Sequence, residues 1–243
     1  MSIRSLRAAV SFLTILPVAS RDGGAGARLG RAYFPAVGAA IGLLAAAALL
    51  VSSALTTPLV AAAVAVATLV VVTGALHLDG LGDAVDGLLG FGDRERRLEV
   101  MREPHLGSYA VAAVVIVLVL EVASLAAMSP IRAAVALVVA GALSRLASLV
   151  VVAWLPYVRT DGLGTAATEA RGRGLDLAIG ALTVLVVCAL DWRRAAVAAV
   201  LCALATLLVA TLARRRIGGA TGDVYGATSE LAQVATLLVF AVR

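Results

Sequence analysis

AYFPAVGAAIGLLAAAALLVSSALTTPLVAAAVAVATLVVVTGAL, residues 32–76, runs for 45 positions without an Asp, Glu, Lys or Arg. A helix crossing a bilayer needs about 20 apolar residues. This run holds two such lengths, separated by a tight turn at Thr56-Thr57-Pro58. The rest of the chain has the same character. Of 243 residues 62% are hydrophobic and 14% charged, and the mean hydropathy is +1.03. A soluble domain carries about a quarter charged residues. Long apolar runs, rather than short alternating ones, exclude an outer-membrane barrel. The sequence predicts an all-α, polytopic membrane protein in which residues 1–243 form a single membrane-embedded unit.

Working outward, apolar segments recur at about 34–55, 58–78, 107–128, 131–155, 175–191, 194–213 and 226–242, which predicts seven spans. The fifth is short and flanked by Asp176 and Asp191. Ahead of the first, SIRSLRAAVSFLTIL (2–16) places Arg4, Arg7, Ser11 and Thr14 within about 80° on a helical wheel. That pattern predicts an amphipathic helix lying at the membrane surface rather than a cleaved leader. The 20 cations are all arginine. With the N-terminus in the cytoplasm, seven spans put fifteen arginines inside, four outside and Arg145 within the fourth span. Such a bias is the usual mark of orientation. It also places 79–106, 156–174 and 214–226 together on the cytoplasmic side. Cys188 and Cys202 lie in apolar segments at no ligand-like spacing.

Directly after the opening run comes HLDGLGDAVDG (77–87). Asp79, Asp83 and Asp86 are spaced i, i+4, i+7, which sets three carboxylates within about 60° of one helix face over about 10 Å. Like charges so arranged repel unless a cation lies among them. Hard oxygen donors that leave part of a shell to water and phosphate suit Mg²⁺. The interleaved Gly80, Gly82 and Gly87 allow a ligand or another helix to approach closely. A second acidic cluster, GGATGDVYGATSE (218–230), places Asp223 at the start of the last helix and Glu230 two turns on, on the same side. A carboxylate inside a span is costly and usually functional. The two clusters resemble two halves of one metal site. Asp79, Asp83, Asp86 and Asp223 are the expected metal ligands, and Asp223 or Glu230 the expected proton acceptor.

Candidate anion contacts lie elsewhere. Arg102 and His105 lie in the charged loop 91–109, near its re-entry into the membrane and on either side of the Pro104 that ends its expected amphipathic surface helix. Arg145, inside the fourth span, is either a diphosphate ligand or half of a structural ion pair with Glu121, from which it is offset by about 9 Å along the helix axis. Asp161 sits in the Gly-rich LPYVRTDGLGTA (155–166), a candidate substrate loop. His77 is expected to point away from the aspartate face.

The whole series HLDGLGDAVDGLLGFGDRERRLEVMREPHLGSYA resembles the signature of the adenosylcobinamide-GDP ribazoletransferase family. FLTILPV (12–18), YFPAVGAAIG (33–42), LPYVRTDGLG (155–164) and GGATGDVYGA (218–227) resemble that family in the same order. The resemblance implies a Mg²⁺-dependent inner-membrane enzyme that joins adenosylcobinamide-GDP to α-ribazole or its 5′-phosphate and releases GMP. Its expected partners are those two substrates and membrane lipid, with no nucleic acid, and a homo-oligomer is left open. On this reading the acids stand at the membrane edge to hold Mg²⁺ against a diphosphate. Two other classes stay open from the residues alone. Asp83-Ala84-Val85-Asp86-Gly87 also matches part of the CDP-alcohol phosphotransferase motif, and intramembrane Glu121, Arg145 and Glu230 would also suit a cation-coupled transporter.

Overall fold

A computed structural model describes residues 2–18, 30–159 and 173–242. Among them the chain is helical, with one isolated parallel bridge between Tyr157 and Ala220. The helices are α1 (Ile3–Leu13), α2 (Phe34–Ser53), α3 (Pro58–Thr73), α4 (Leu76–Leu89), α5 (Arg94–Val100), α6 (Ser108–Ala126), α7 (Pro130–Trp154), α8 (Arg173–Cys188), α9 (Trp192–Ile217) and α10 (Gly222–Ala241). Proline opens α3 and α7, where a missing N–H costs nothing. The Thr221 hydroxyl accepts from the Val224 amide to start α10, and left-handed Gly218 ends α9.

Five helical runs are long and apolar enough to cross a membrane: Arg31–Ser53, α6, α7, Arg173–Ile217 and α10. The pair α3–α4 makes a sixth if counted as one bent crossing. The seven segments expected differ from this count in the Arg173–Ile217 run, which is 45 residues long. Its contour of about 68 Å at the helical rise is twice a bilayer's hydrocarbon thickness. A 3-10 turn, Ala189–Asp191, interrupts it. Val184 before the turn and Ala199 and Cys202 after it border one apolar cavity against α7, of about 360 Å³, so the run doubles back.

The centre of the bundle is α7 and α10, the two most deeply buried of the long helices. Helix α2 lies across α7 at a glycine contact. A Cβ on Gly38 would meet the Gly141 carbonyl oxygen at 2.0 Å, and one on Gly141 would meet that of Gly38 at 2.1 Å. Small residues let the backbones touch, which is how apolar helices gain contact when lipid offers no hydrophobic drive. On the opposite side α10 receives α4 through Gly80 and Gly226, whose added Cβ atoms would meet each other's Cα at 3.2 and 3.1 Å.

The segment expected as one span over 58–78 is not continuous. Helix α3 ends at Thr73, and Gly74 (φ 61°) and Ala75 (φ 58°) both adopt the left-handed conformation. Two such residues in succession turn α4 by 86° from α3. Alanine is an uncommon occupant of that region. The N-terminal segment meets the bend: the Ile15 amide donates to the Val72 carbonyl at 2.9 Å. The N-terminal helix, expected over 2–16, stops at Leu13, and its Ala9 and Leu13 are buried against the bundle while Ile3 is exposed.

Three substitutions test these features by thermal unfolding in detergent. Gly141→Leu should lower the midpoint by several degrees, since overpacking of a tight contact costs about 1–3 kcal/mol. Ala75→Gly should raise it, relieving roughly 1 kcal/mol of left-handed strain, whereas Ala75→Val should lower it.

Candidate active site

The α4–α10 contact sets the first half of the site. Asp79 on α4 and Asp223 on α10 line a common cavity of about 230 Å³, with Gly80, Gly222 and Gly226 in its wall. The second half is built by the bridge. The Ala220 amide donates to the Pro156 carbonyl at 2.8 Å, and the Val158 amide donates to the Ala220 carbonyl at 3.0 Å. Gly219 makes this possible, because a Cβ there would lie 2.2 Å from the Pro156 oxygen. The pairing carries Arg159 to Asp223, and the two form an ion pair at 2.8 Å. The same guanidinium donates to the Met101 carbonyl at 3.2 Å, and the Thr221 hydroxyl donates to Asp223 at 3.1 Å. Both side-chain contacts to Asp223 fall on Oδ2.

At the deep end of the cavity stand Arg145 and His77. Arg145 is 3% exposed; its guanidinium donates to the Ser144 hydroxyl at 2.8 Å and to Gln233 Oε1 at 3.1 Å, and lies 3.4 Å from His77 Nδ1. Tyr157 and Tyr225 form an aromatic wall, their ring centres 6.2 Å apart. Phe12 of α1 stacks on Phe34 of α2 at 5.6 Å on another side. Three buried polar atoms of cavity-lining residues have no hydrogen-bond partner among the described residues: Arg145 Nε, Arg159 Nε and Tyr225 Oη. Buried donors without partners are rare, and two guanidiniums left with open donors beside carboxylates suit a phosphate-bearing ligand.

The expected ligands divide. Asp83, half-buried, lies within electrostatic range of Asp79, Asp86 and Asp223. Asp86, grouped with the metal ligands on spacing, accepts from the Gly107 amide at 2.6 Å and the Ala110 amide at 2.9 Å, one with each oxygen. It caps α6 from a neighbouring helix. The three acids do share a face of α4, but the face extends over about 10 Å, so its ends serve different neighbours. Among the described residues no three acidic, histidine or cysteine side chains converge as a ready-made metal site. The donor chemistry still fits Mg²⁺, which is commonly held by one or two carboxylates with water and substrate phosphate completing the shell.

Glu230 lies two turns below Asp223, about 10 Å deeper at the helical rise, and does not line this cavity. It borders a small buried pocket with Glu121, Arg145 and Gln233. The Glu121–Arg145 ion pair, expected as the alternative to a diphosphate-binding role for Arg145, is bridged: Gln233 Nε2 donates to Glu121 Oε1 at 2.7 Å, and its carbonyl accepts from Arg145. Arg102 and His105 are exposed and do not line the cavity. Asp161 lies outside the described residues. The charged stretch over 91–109 is largely the solvated face expected, with Arg96 paired to Glu99 and Glu103. The hydrogen bond to Glu99 and the charge of Glu103 raise the Arg96 guanidinium above its ordinary range. Arg97 is different: it is buried and caps α4 by donating to the Gly87 and Leu88 carbonyls at 3.0 and 2.9 Å.

His77, Arg159, Tyr225 and Gln233 are site-forming residues that the sequence reading passed over or placed elsewhere. His77 reaches the cavity because the cavity covers the N-terminal end of α4, where residues on more than one side of the first turn are accessible to it. Arg159 stands two positions before Asp161 in a motif already noted, but its pairing depends on the contact with Ala220, which no local pattern announces.

The family model described as cobalamin-5-phosphate synthase matches residues 5–241. An adenosylcobinamide-GDP ribazoletransferase of Azorhizobium caulinodans is 43% identical over 95% of this chain and 92% of its own length. One from Bradyrhizobium diazoefficiens is 40% identical over 98% and 94%, and one from Pseudomonas syringae pv. syringae 39% over 96% and 97%. No solved structure matches. The cavity gathers acids and guanidiniums in a chain similar to these enzymes from end to end, and the chain belongs to the cobalamin-5-phosphate synthase family.

Proposed function

We propose that the cavity between α4, α10 and the Arg159 segment is where adenosylcobinamide-GDP meets α-ribazole or its 5′-phosphate, in a Mg²⁺-dependent transfer at the cytoplasmic face of the inner membrane. The observation that carries the reading is that Asp79, Asp223, Arg145 and Arg159 line one cavity, with the buried Nε of each arginine lacking a partner. The arginine asymmetry of the sequence supports the orientation.

Asp79, Asp83 and Asp223 would hold the Mg²⁺, which, when bound, offsets the charge of the diphosphate and of the departing GMP. Arg145 and Arg159 grip and orient the phosphates. The ribazole 3′-hydroxyl oxygen forms a bond to the phosphorus attached to cobinamide as the bond from that phosphorus to the GMP oxygen breaks. The hydroxyl proton passes to a carboxylate, and we assign this role to Asp223, which lines the cavity, over Glu230, which does not. Arg159 and Thr221 fix the Asp223 carboxylate through Oδ2. Asp86 clamps the start of α6 and is not assigned to the metal.

The test is turnover of the purified protein in liposomes with adenosylcobinamide-GDP, α-ribazole 5′-phosphate and Mg²⁺, reading GMP and the joined corrinoid by chromatography. Both products should form, stop with EDTA and return with added Mg²⁺. Release of CMP from a CDP-alcohol in place of these products would overturn the reading. Asp223→Asn should lower kcat by roughly 100-fold or more, the scale of a lost proton acceptor. Asp83→Asn should raise the Mg²⁺ concentration needed for half-maximal turnover. Asp86→Ala should keep its Mg²⁺ requirement unchanged and lose about 1 kcal/mol of stability, as a lost helix cap does.

A further inference from the structure

Arg145 is held in a part of the bundle where a long side chain has no water to satisfy it, and what holds it is asymmetric. On α10, Gln233 presents its carbonyl to Arg145 at 3.1 Å and its amide nitrogen to Glu121 of α6 at 2.7 Å. The two ends of a glutamine amide have nearly the same shape but opposite polarity. If the amide turned over, its NH₂ would face the N–H groups of the guanidinium, donor against donor. Glu121 prevents this, because its carboxylate accepts and therefore selects the NH₂ end. All three residues are buried, at 2%, 3% and 5% exposure for Glu121, Arg145 and Gln233, so none can exchange its partner for solvent. The remaining charged group facing the cluster is Glu230, one turn from Gln233 around a pocket of about 10 Å³, with His77 on the cavity side. That volume is at most one water's room. The guanidinium thus has a fixed set of acceptors on its inner side, while its Nε has no partner.

We infer that Gln233 and Glu121 are positioning residues of the transferase: Glu121 sets the polarity of the Gln233 amide, and that amide holds the Arg145 guanidinium toward the diphosphate of the substrate. The inference rests on the reading of the cavity given above, because Arg145 matters here through its contact with that diphosphate. Groups that orient a ligand-binding side chain this way are worth about 10–100-fold when removed, by analogy with the outer shells of metal sites.

The decisive variants are isosteric. Gln233→Glu sets a second carboxylate against Glu121 and removes the donor that Glu121 requires. Adding Glu121→Gln restores a consistent polarity, with the new amide donating to the new carboxylate and that carboxylate accepting from Arg145. Each variant is reconstituted in liposomes; kcat and KM for adenosylcobinamide-GDP and the affinity for inorganic diphosphate by calorimetry are compared with wild type. Gln233→Glu should raise KM and weaken diphosphate binding about tenfold, and the double variant should recover most of that loss. Glu121→Gln should lose less than Glu121→Leu, since one orientation of the new amide still accepts from Gln233. Gln233→Leu should add no further loss to an Arg145→Ala background. The inference is overturned if Glu121→Gln is as damaging as Glu121→Leu, which would make the carboxylate's charge the active property, or if the double variant is no better than Gln233→Glu. Thermal midpoints in detergent identify any variant lost to misfolding, and the isosteric pair then decides. A wild type that releases no GMP overturns the proposed reaction, while the diphosphate-binding series still decides the amide's role.

Discussion

The contact between α4 and α10 is the constraint on which the rest of the site depends. Gly80 and Gly226 let the two backbones close to a separation at which a Cβ on either would sit 3.0–3.3 Å from the other helix, so that a side chain there would push the helices apart by a few tenths of an ångström. Only at that separation do Asp79 and Asp223, 144 positions apart in the chain, face one cavity. The bend at Gly74–Ala75 is the other half of the same arrangement, since a straight continuation of α3 would carry the aspartate face past α10 instead of against it. Two left-handed residues and one glycine pair therefore do locally what a dedicated domain would do in a soluble enzyme.

Membrane burial explains how the polar residues are distributed. In water an arginine can be left to the solvent, but within a bundle of apolar helices each donor needs a partner from the protein. Arg97 finds carbonyls at the end of α4 and Arg31 pairs with Asp176 at 3.1 Å, while the exposed Arg94 donates to the Ile217 carbonyl at the end of α9. These arginines join helix ends together. Arg145 and Arg159 differ in lining the cavity while each keeps a buried Nε without a partner, which sets them apart from the cations that only join helix ends.

Much of this was legible in the sequence, and the parts that were not share a cause. The all-α membrane class followed from the charge-free run over 32–76, and the meeting of Asp79 with Asp223 from two acidic clusters set among glycines at span ends. The spacing of Asp83 and Asp86 gives their common face but not what lies opposite each; that Asp86 meets the start of α6 is a fact of packing. The same holds for Gln233, a single uncharged residue in an apolar helix with no motif around it, whose meaning appears only when α6 and α7 are placed beside it. The bend in α3–α4 was hidden because alanine is read as a helix former, and at position 75 it stands in the left-handed conformation.

The size of the cavity has a consequence for recognition. At about 230 Å³ it falls below the roughly 300–1,000 Å³ in which a drug-sized molecule is enclosed, and a corrin ring with its nucleotide is much larger than that. On the proposed reaction, only the two reacting ends, the diphosphate and the ribose hydroxyl, enter together, while the macrocycle remains outside. The enzyme would then read its substrates as a socket reads a plug, by the prongs and not by the casing. Tolerance toward changes on the far side of the corrin ring follows from that geometry, as does intolerance toward any change in the length of the linkage that brings the phosphorus to the acids.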